Sequence, residues 1–129
     1  MNIPNPYTLP AIDFVGGSTQ DLVFHCYFYA NKRPHDLTSC TADFSIINFV
    51  NKKGEPLVSK QMDIRSAPLV DGEINNVLSV TLDPKDTVNL PAGKYIYQIS
   101  IRDISGDVDI PNQGIIHLIN NINKSFARQ

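Results

Sequence analysis

The stretch Leu82–Arg102, LDPKDTVNLPAGKYIYQISIR, decides the fold. It reads as the end of a strand, one turn of helix, a tight corner and a long strand. Asp83 is placed to cap the first amides of the turn, and Pro84 takes the first helical position, where its missing N–H costs nothing. Leu90-Pro91-Ala92-Gly93-Lys94-Tyr95 then turns the chain. Beyond it Tyr95, Tyr97, Ile99 and Ile101 alternate with Lys94, Ile96, Gln98, Ser100 and Arg102. That period of two marks a half-buried strand with the tyrosines on its core face.

A leucine, a glycine and a tyrosine spaced as Leu90, Gly93 and Tyr95 resemble the tyrosine corner of immunoglobulin-like sandwiches. There the phenol hydroxyl bonds to backbone a few residues upstream and fixes a connection between sheets. The flanking sequence supplies further strands. Asp21–Ala30 is apolar on both faces and is expected to be central or covered on both sides. Thr41–Val50 alternates with Ala42, Phe44 and Ile46 inward, and Leu57–Ile64 and Val77–Leu82 follow. Between these two, Ser66–Gly72 reads as a loop. Ser105-Gly106-Asp107 makes a hairpin turn, and Val108–Asn120 closes the fold with an irregularity near Pro111. The expected fold is all-β, an immunoglobulin-like Greek-key β-sandwich of about seven strands with one short helical turn and an extended N-terminal arm. The expected organisation is an arm over residues 1–19, a sandwich over 20–120 and a polar tail over 121–129. Pro4, Pro6 and Pro10 exclude helix from the arm, and Gly16-Gly17-Ser18 reads as a hinge. Within the arm Tyr7, Leu9, Ile12 and Phe14 are apolar anchors with no helical period, and they are the candidate partner-docking residues.

Composition narrows function by exclusion. A chain of 129 residues with 42% apolar and 19% charged residues fits one globular domain. Its net charge of −2 offers no basic excess to grip a phosphate backbone, so nucleic acid is not an expected partner. The apolar runs fall far short of a membrane span, so no membrane is expected either. Met1–Pro6 has neither the positive start nor the apolar core of a cleaved secretory signal. Cys26 and Cys40 are read as two thiols of a reducing compartment.

The residue types that carry chemistry are not grouped. His25, His35 and His117 lie on different elements without ligand spacing. His25 adjoins Cys26, but neighbours in a strand point to opposite faces and cannot pair as base and nucleophile. Asp103, Asp107 and Asp109 surround one hairpin and read as caps of local amides rather than a calcium site. Asp83 and Asp86 read as a helix-start pair. The expectation is a protein without catalytic residues, metal or cofactor.

The order of pieces then points to a family. Asp36-Leu37-Thr38, Thr41-Ala42-Asp43-Phe44, the glycine turn within Asn51–Glu55, Leu78–Leu82, Leu90-Pro91-Ala92-Gly93-Lys94-Tyr95-Ile96-Tyr97, Gly106-Asp107 and Gly114 follow one another over residues 20–120. This order resembles the immunoglobulin-like domain family of tailed-phage virion proteins, the domain found at the N-terminus of phage baseplate upper proteins. Ser39 stands where the family pattern has a glycine, and no fibre segment is expected after the domain. The resemblance implies a stand-alone accessory component of a virion, made in the bacterial cytoplasm. It would bind neighbouring capsid or tail and baseplate subunits, or further copies of itself, and it would have no enzymatic activity. The alternative is a virion-displayed module that binds host carbohydrate or a receptor.

Overall fold

The computed structural model describes residues 12–26, 36–50, 54–69 and 71–127. Within them are seven strands: β1 (Ile12–Val15), β2 (Gln20–His25), β3 (Thr41–Asn48), β4 (Val58–Leu69), β5 (Gly72–Leu82), β6 (Gly93–Arg102) and β7 (Val108–Ile119). Two four-residue helices, α1 (Pro84–Thr87) and α2 (Lys124–Ala127), complete the described elements. The fold is an all-β, immunoglobulin-like sandwich.

Hydrogen bonding runs in the order β1-β7-β6-β3-β4-β5-β2. The sheet doubles over at β4. Residues 58–62 of that strand pair with β3, and residues 63–69 pair with β5. One long strand thus serves both layers, and every neighbouring pair is antiparallel except β1 with β7, which is parallel. The two ends of the sheet are joined in sequence through Gly16 and Gly17.

Period-two patterning accounts for the core. Ala42, Phe44 and Ile46 from β3, Leu78, Val80 and Leu82 from β5, Tyr95, Tyr97, Ile99 and Ile101 from β6, and Ile116 and Leu118 from β7 are all buried. Phe24 of β2 meets Phe44 and Tyr97 across the sandwich, with ring centroids 6.4 and 5.8 Å away, so aromatic rings bridge the layers. Phe44 and Tyr97 stack at 5.7 Å within one layer. Gly114 lies directly beside Tyr97 in the β6–β7 register. A Cβ on Gly114 would come within 2.7–2.8 Å of the Tyr97 ring and hydroxyl, so only glycine lets that ring lie across β7.

Several boundaries differ from the sequence reading. The arm drawn over 1–19 includes β1, a true strand of the sandwich, because Phe14 (5% exposed) is part of the core. The strand expected at Asp21–Ala30 is an edge: β2 pairs with β5 alone among the described residues, and Val23 is 54% exposed. Its apolar outer face resulted in the opposite expectation, and residues 27–35 lie outside the described residues. The supposed loop over Ser66–Gly72 is the tip of a β4–β5 hairpin that brings Leu69 opposite Gly72. A bulge makes this possible. One step of β4, from Arg65 to Ser66, faces two steps of β5, from Val77 to Asn75, which leaves Asn76 over. The expected irregularity near Pro111 is a bulge too, with Ile99 to Ile101 of β6 facing Asn112 to Asp109 of β7. The tail drawn over 121–129 contains α2, and Asn121 ties it to the fold by donating to the Gly16 carbonyl at 2.8 Å. Ser39 takes a left-handed φ of +66°, the conformation a glycine holds most easily.

Candidate functional site

The corner residues come together as one unit. Asp86 accepts the Asp83 N–H at 2.7 Å, which starts α1. Thr87 is fully buried, and its hydroxyl accepts the Gly17 N–H at 2.8 Å, joining the corner to the β1–β2 link. Leu90 rests against the core. Gly93 has a φ of +143°, which strains any side chain. Tyr95 Oη donates to the Pro91 carbonyl at 2.6 Å, and burial pushes its ionisation above the ordinary tyrosine range. This is the geometry of a tyrosine corner. It aims β6 and performs no chemistry.

Beside the corner lies a cluster that sequence reasoning missed. Lys60, near the start of β4, donates to Asp86 at 2.8 Å, to Asp83 at 3.2 Å and to the Thr81 carbonyl at 2.8 Å. Its hydrogen bond to Asp86, the largest influence, raises the lysine pKa, against a smaller opposing effect of burial. Lys60 precedes Asp83 by more than twenty residues, and no local motif joins them. Only the sheet-crossing path of β4 brings the ammonium to α1. One ammonium is shared between two carboxylates on α1 and its cap, so the arrangement is a fastening between β4 and α1.

The remaining titratable groups are dispersed. Asp103 Oδ1 accepts the Ser105 hydroxyl at 2.6 Å and the backbone N–H groups of Ser105 and Asp107 at 2.9 and 3.0 Å. Those bonds, the hydroxyl first, hold its carboxyl below the usual range, and the turn aspartate acts as a local cap. Cys26 is buried and its thiol is pushed up to about 11, first by desolvation and then by Asp109 and Cys40. Cys40 is raised as well, by desolvation and then by Asp103 and Asp36. Both cysteines are thiols, and neither is activated as a nucleophile. His25 is exposed and turned away from Cys26, His117 lies 3.9 Å from Asp13 on the surface, and His35 is outside the described residues. Among the described residues no group of three or more His, Cys, Asp and Glu side chains could hold a metal ion. No described helix is long and apolar enough to cross a membrane.

Of the four candidate docking residues, Tyr7 and Leu9 lie outside the described residues. Ile12 and Phe14 do not fit that role. Phe14 is buried in the sandwich's own core and Ile12 packs against that core, because parallel pairing with β7 turns both side chains inward. What faces outward on β1 is different: Asp13 and Val15, with exposed Ile119 beside Val15 in register. The outer face of β3, β6 and β7 offers a second surface. Ser45, Gln98 and Gln113 form a row across three strands in register, with Gln113 donating to Gln98 at 3.0 Å. Together with Ile47, Pro56 and Ile96 they line a shallow depression of about 340 Å³.

No family profile matches the chain, and no curated protein does. Among solved structures the chain is similar to CopC from Methylosinus trichosporium OB3b, at 13% identity and a TM-score of 0.36, over 86% of this chain and 87% of that one. A likeness that loose carries no argument about chemistry.

Proposed function

We propose that the protein is a structural component of a bacteriophage virion, an immunoglobulin-like block that binds neighbouring capsid or tail and baseplate subunits and acts without turnover. The reading rests on the resemblance in motif order over residues 20–120. The observation that carries it is the position of β1. The proline-rich segment of residues 1–11 precedes β1, which pairs with β7 alone among the described residues, so a contact made by that segment lies next in sequence to a sheet strand. Exposed Val15 and its register partner Ile119, with exposed Ile122 and Phe126 after β7 in sequence, add apolar surface of the kind that neighbours cover. In this reading the corner, the Lys60 cluster and the Asp103 cap hold the block rigid, and no residue is catalytic. Quantitative mass spectrometry of purified particles is the test. The expected result is this chain in fixed stoichiometry with the major virion proteins; its absence from intact particles contradicts the proposal.

A second reading, a display module for host-surface carbohydrate, is favoured by the depression over Ser45, Gln98 and Gln113. Amides and hydroxyls beside the apolar Ile47 and Ile96 suit a sugar's polar edge and apolar face. Glycan-array binding abolished by Gln98→Ala supports this reading; no binding to host polysaccharide removes it.

A further inference from the structure

The hydrogen-bonding phase of β2 follows from one bond. The Cys26 N–H donates to the Asn76 carbonyl at 2.8 Å, in step with the antiparallel register that sets Phe24 opposite Leu78 and Leu22 opposite Val80. In an antiparallel ladder, every second residue turns both its N–H and its C=O to the same neighbour. Residues 20, 22, 24 and 26 therefore face β5. Asp21, Val23 and His25 turn their backbone groups to the other side, where no strand lies among the described residues.

This outward edge carries none of the usual protection of an edge strand. Gln20–His25 contains no proline, lysine or arginine, and its pairing with β5 runs without a bulge. The side chains of Asp21, Val23 and His25 are exposed on the outer face. Leu22 and Phe24, on the inner face, pack against the core yet stay half-buried. One further strand beside β2 would bond the outward backbone groups and cover the flanks of Leu22 and Phe24 at the same time.

We propose that the outward edge of β2 pairs antiparallel with the same edge of a second copy about a two-fold axis at Val23, joining two sandwiches through one continuous sheet. A second copy is the partner because the edge complements itself. With Val23 opposite Val23 of the partner subunit, Asp21 meets His25 of the partner subunit, and Leu22 meets Phe24 of the partner subunit. An imidazole N–H donates to a carboxylate in either protonation state, and the dimer makes that pair twice. The leucine and phenylalanine fall at a non-hydrogen-bonded site, where side chains of paired strands come closest. A register shifted by two residues sets Asp21 against Val23 of the partner subunit and leaves the carboxylate without a counterpart. The contact is isologous, so it closes as a dimer and does not grow into a fibre. Six residues make a short seam, so the dissociation constant is expected on the order of micromolar. The inference rests on β2 and stands or falls apart from the virion reading.

Exchanging the two polar residues tests the register directly. His25→Asp sets two carboxylates against each other twice in the dimer, whereas Asp21→His combined with His25→Asp restores both pairs in reverse. Val23→Pro removes the N–H at the two-fold axis from each copy and costs the β5 ladder nothing, because that N–H points outward. Analytical ultracentrifugation of the full chain should find a dimer for the wild type. His25→Asp and Val23→Pro should each raise the dissociation constant by roughly tenfold or more, and the double exchange should recover most of what His25→Asp loses. A wild type that stays monomeric at about 1 mM overturns the proposal. So does a dimer that His25→Asp and Val23→Pro leave unchanged, or a double exchange as weak as His25→Asp alone.

Discussion

Tyr95 and Tyr97 stand two residues apart on one face of β6, and the fold holds them by opposite means. At the corner end, Tyr95 is fixed by a directed bond from its hydroxyl to the Pro91 carbonyl. In the middle, the Tyr97 hydroxyl is buried without a hydrogen-bond partner among the described residues, and its ring is held by Phe24, Phe44 and the gap left by Gly114. The end of the strand needs direction, because the chain arrives there from the other layer and must be aimed. The middle needs volume, because there the two layers meet. A polar hydroxyl is essential in the first place and incidental in the second.

The sharpest way to break this contrast is to fill the gap. Gly114→Val puts a Cβ against a ring that is fully buried and cannot swing away, so overpacking should destabilise the fold by about 1–3 kcal/mol or more. Denaturant unfolding should show the largest loss of any variant considered, and Tyr97→Leu in the same chain should recover part of it. A Gly114→Val protein as stable as the wild type would mean that the ring does not lie over β7. Next in size is the corner. Tyr95→Phe removes one directed bond to an exposed carbonyl that water can reach, so the expected loss is about 1 kcal/mol. An unchanged melting temperature argues against a working corner. Lys60→Met should cost about as much or somewhat less, since it leaves Asp83 and Asp86 side by side without their cation. High salt should narrow that deficit, and a deficit indifferent to salt speaks against an electrostatic fastening.

The smallest effect at neutral pH belongs to Tyr97→Phe, which deletes a buried hydroxyl that bonds nothing described, so its melting temperature should match or exceed that of the wild type. The difference appears in alkali. Burial pushes the Tyr97 hydroxyl up to about 12 from an ordinary 10.0, and the Cys26 thiol up to about 11 from 9.0. Both folded pKa values lie above the unfolded ones, so the unfolded chain releases these protons first. Stability therefore falls as pH rises, from about 9 to 11 through Cys26 and from about 10 to 12 through Tyr97. Tyr97→Phe should keep the lower part of this decline and lose the upper part. A melting curve that parallels the wild type up to pH 12 contradicts the assignment.

The same contrast explains what could be read without coordinates. The corner was legible because its parts lie within six residues: Leu90, Gly93 and Tyr95 define a local turn, and the alternation after it marks the core face. The inward residues of β3, β5 and β6 follow from period two alone. Contacts that link distant segments left no mark. Nothing near Lys60 announces Asp83 and Asp86, because a strand that serves both layers has to bring them together. Nothing in Ile12 and Phe14 separates an anchor for a partner from a short edge strand, since both are extended and apolar. The parallel pairing with β7 decides between them. Likewise the apolar outer face of Asp21–Ala30 imitates a central strand, although β2 pairs with β5 alone among the described residues.

A truncation that tests the N-terminal segment has to leave β1 in place. Removing residues 1–17 would take away β1 and Phe14 and would damage the sandwich itself, whereas removing residues 1–10 spares both. The most direct measurement is the copy number of the truncated chain in purified particles, set beside its melting temperature. The expected result is a protein that melts close to the full-length temperature and is lost from the particle. A truncated chain that incorporates at the full-length copy number would show that the N-terminal segment does not carry assembly.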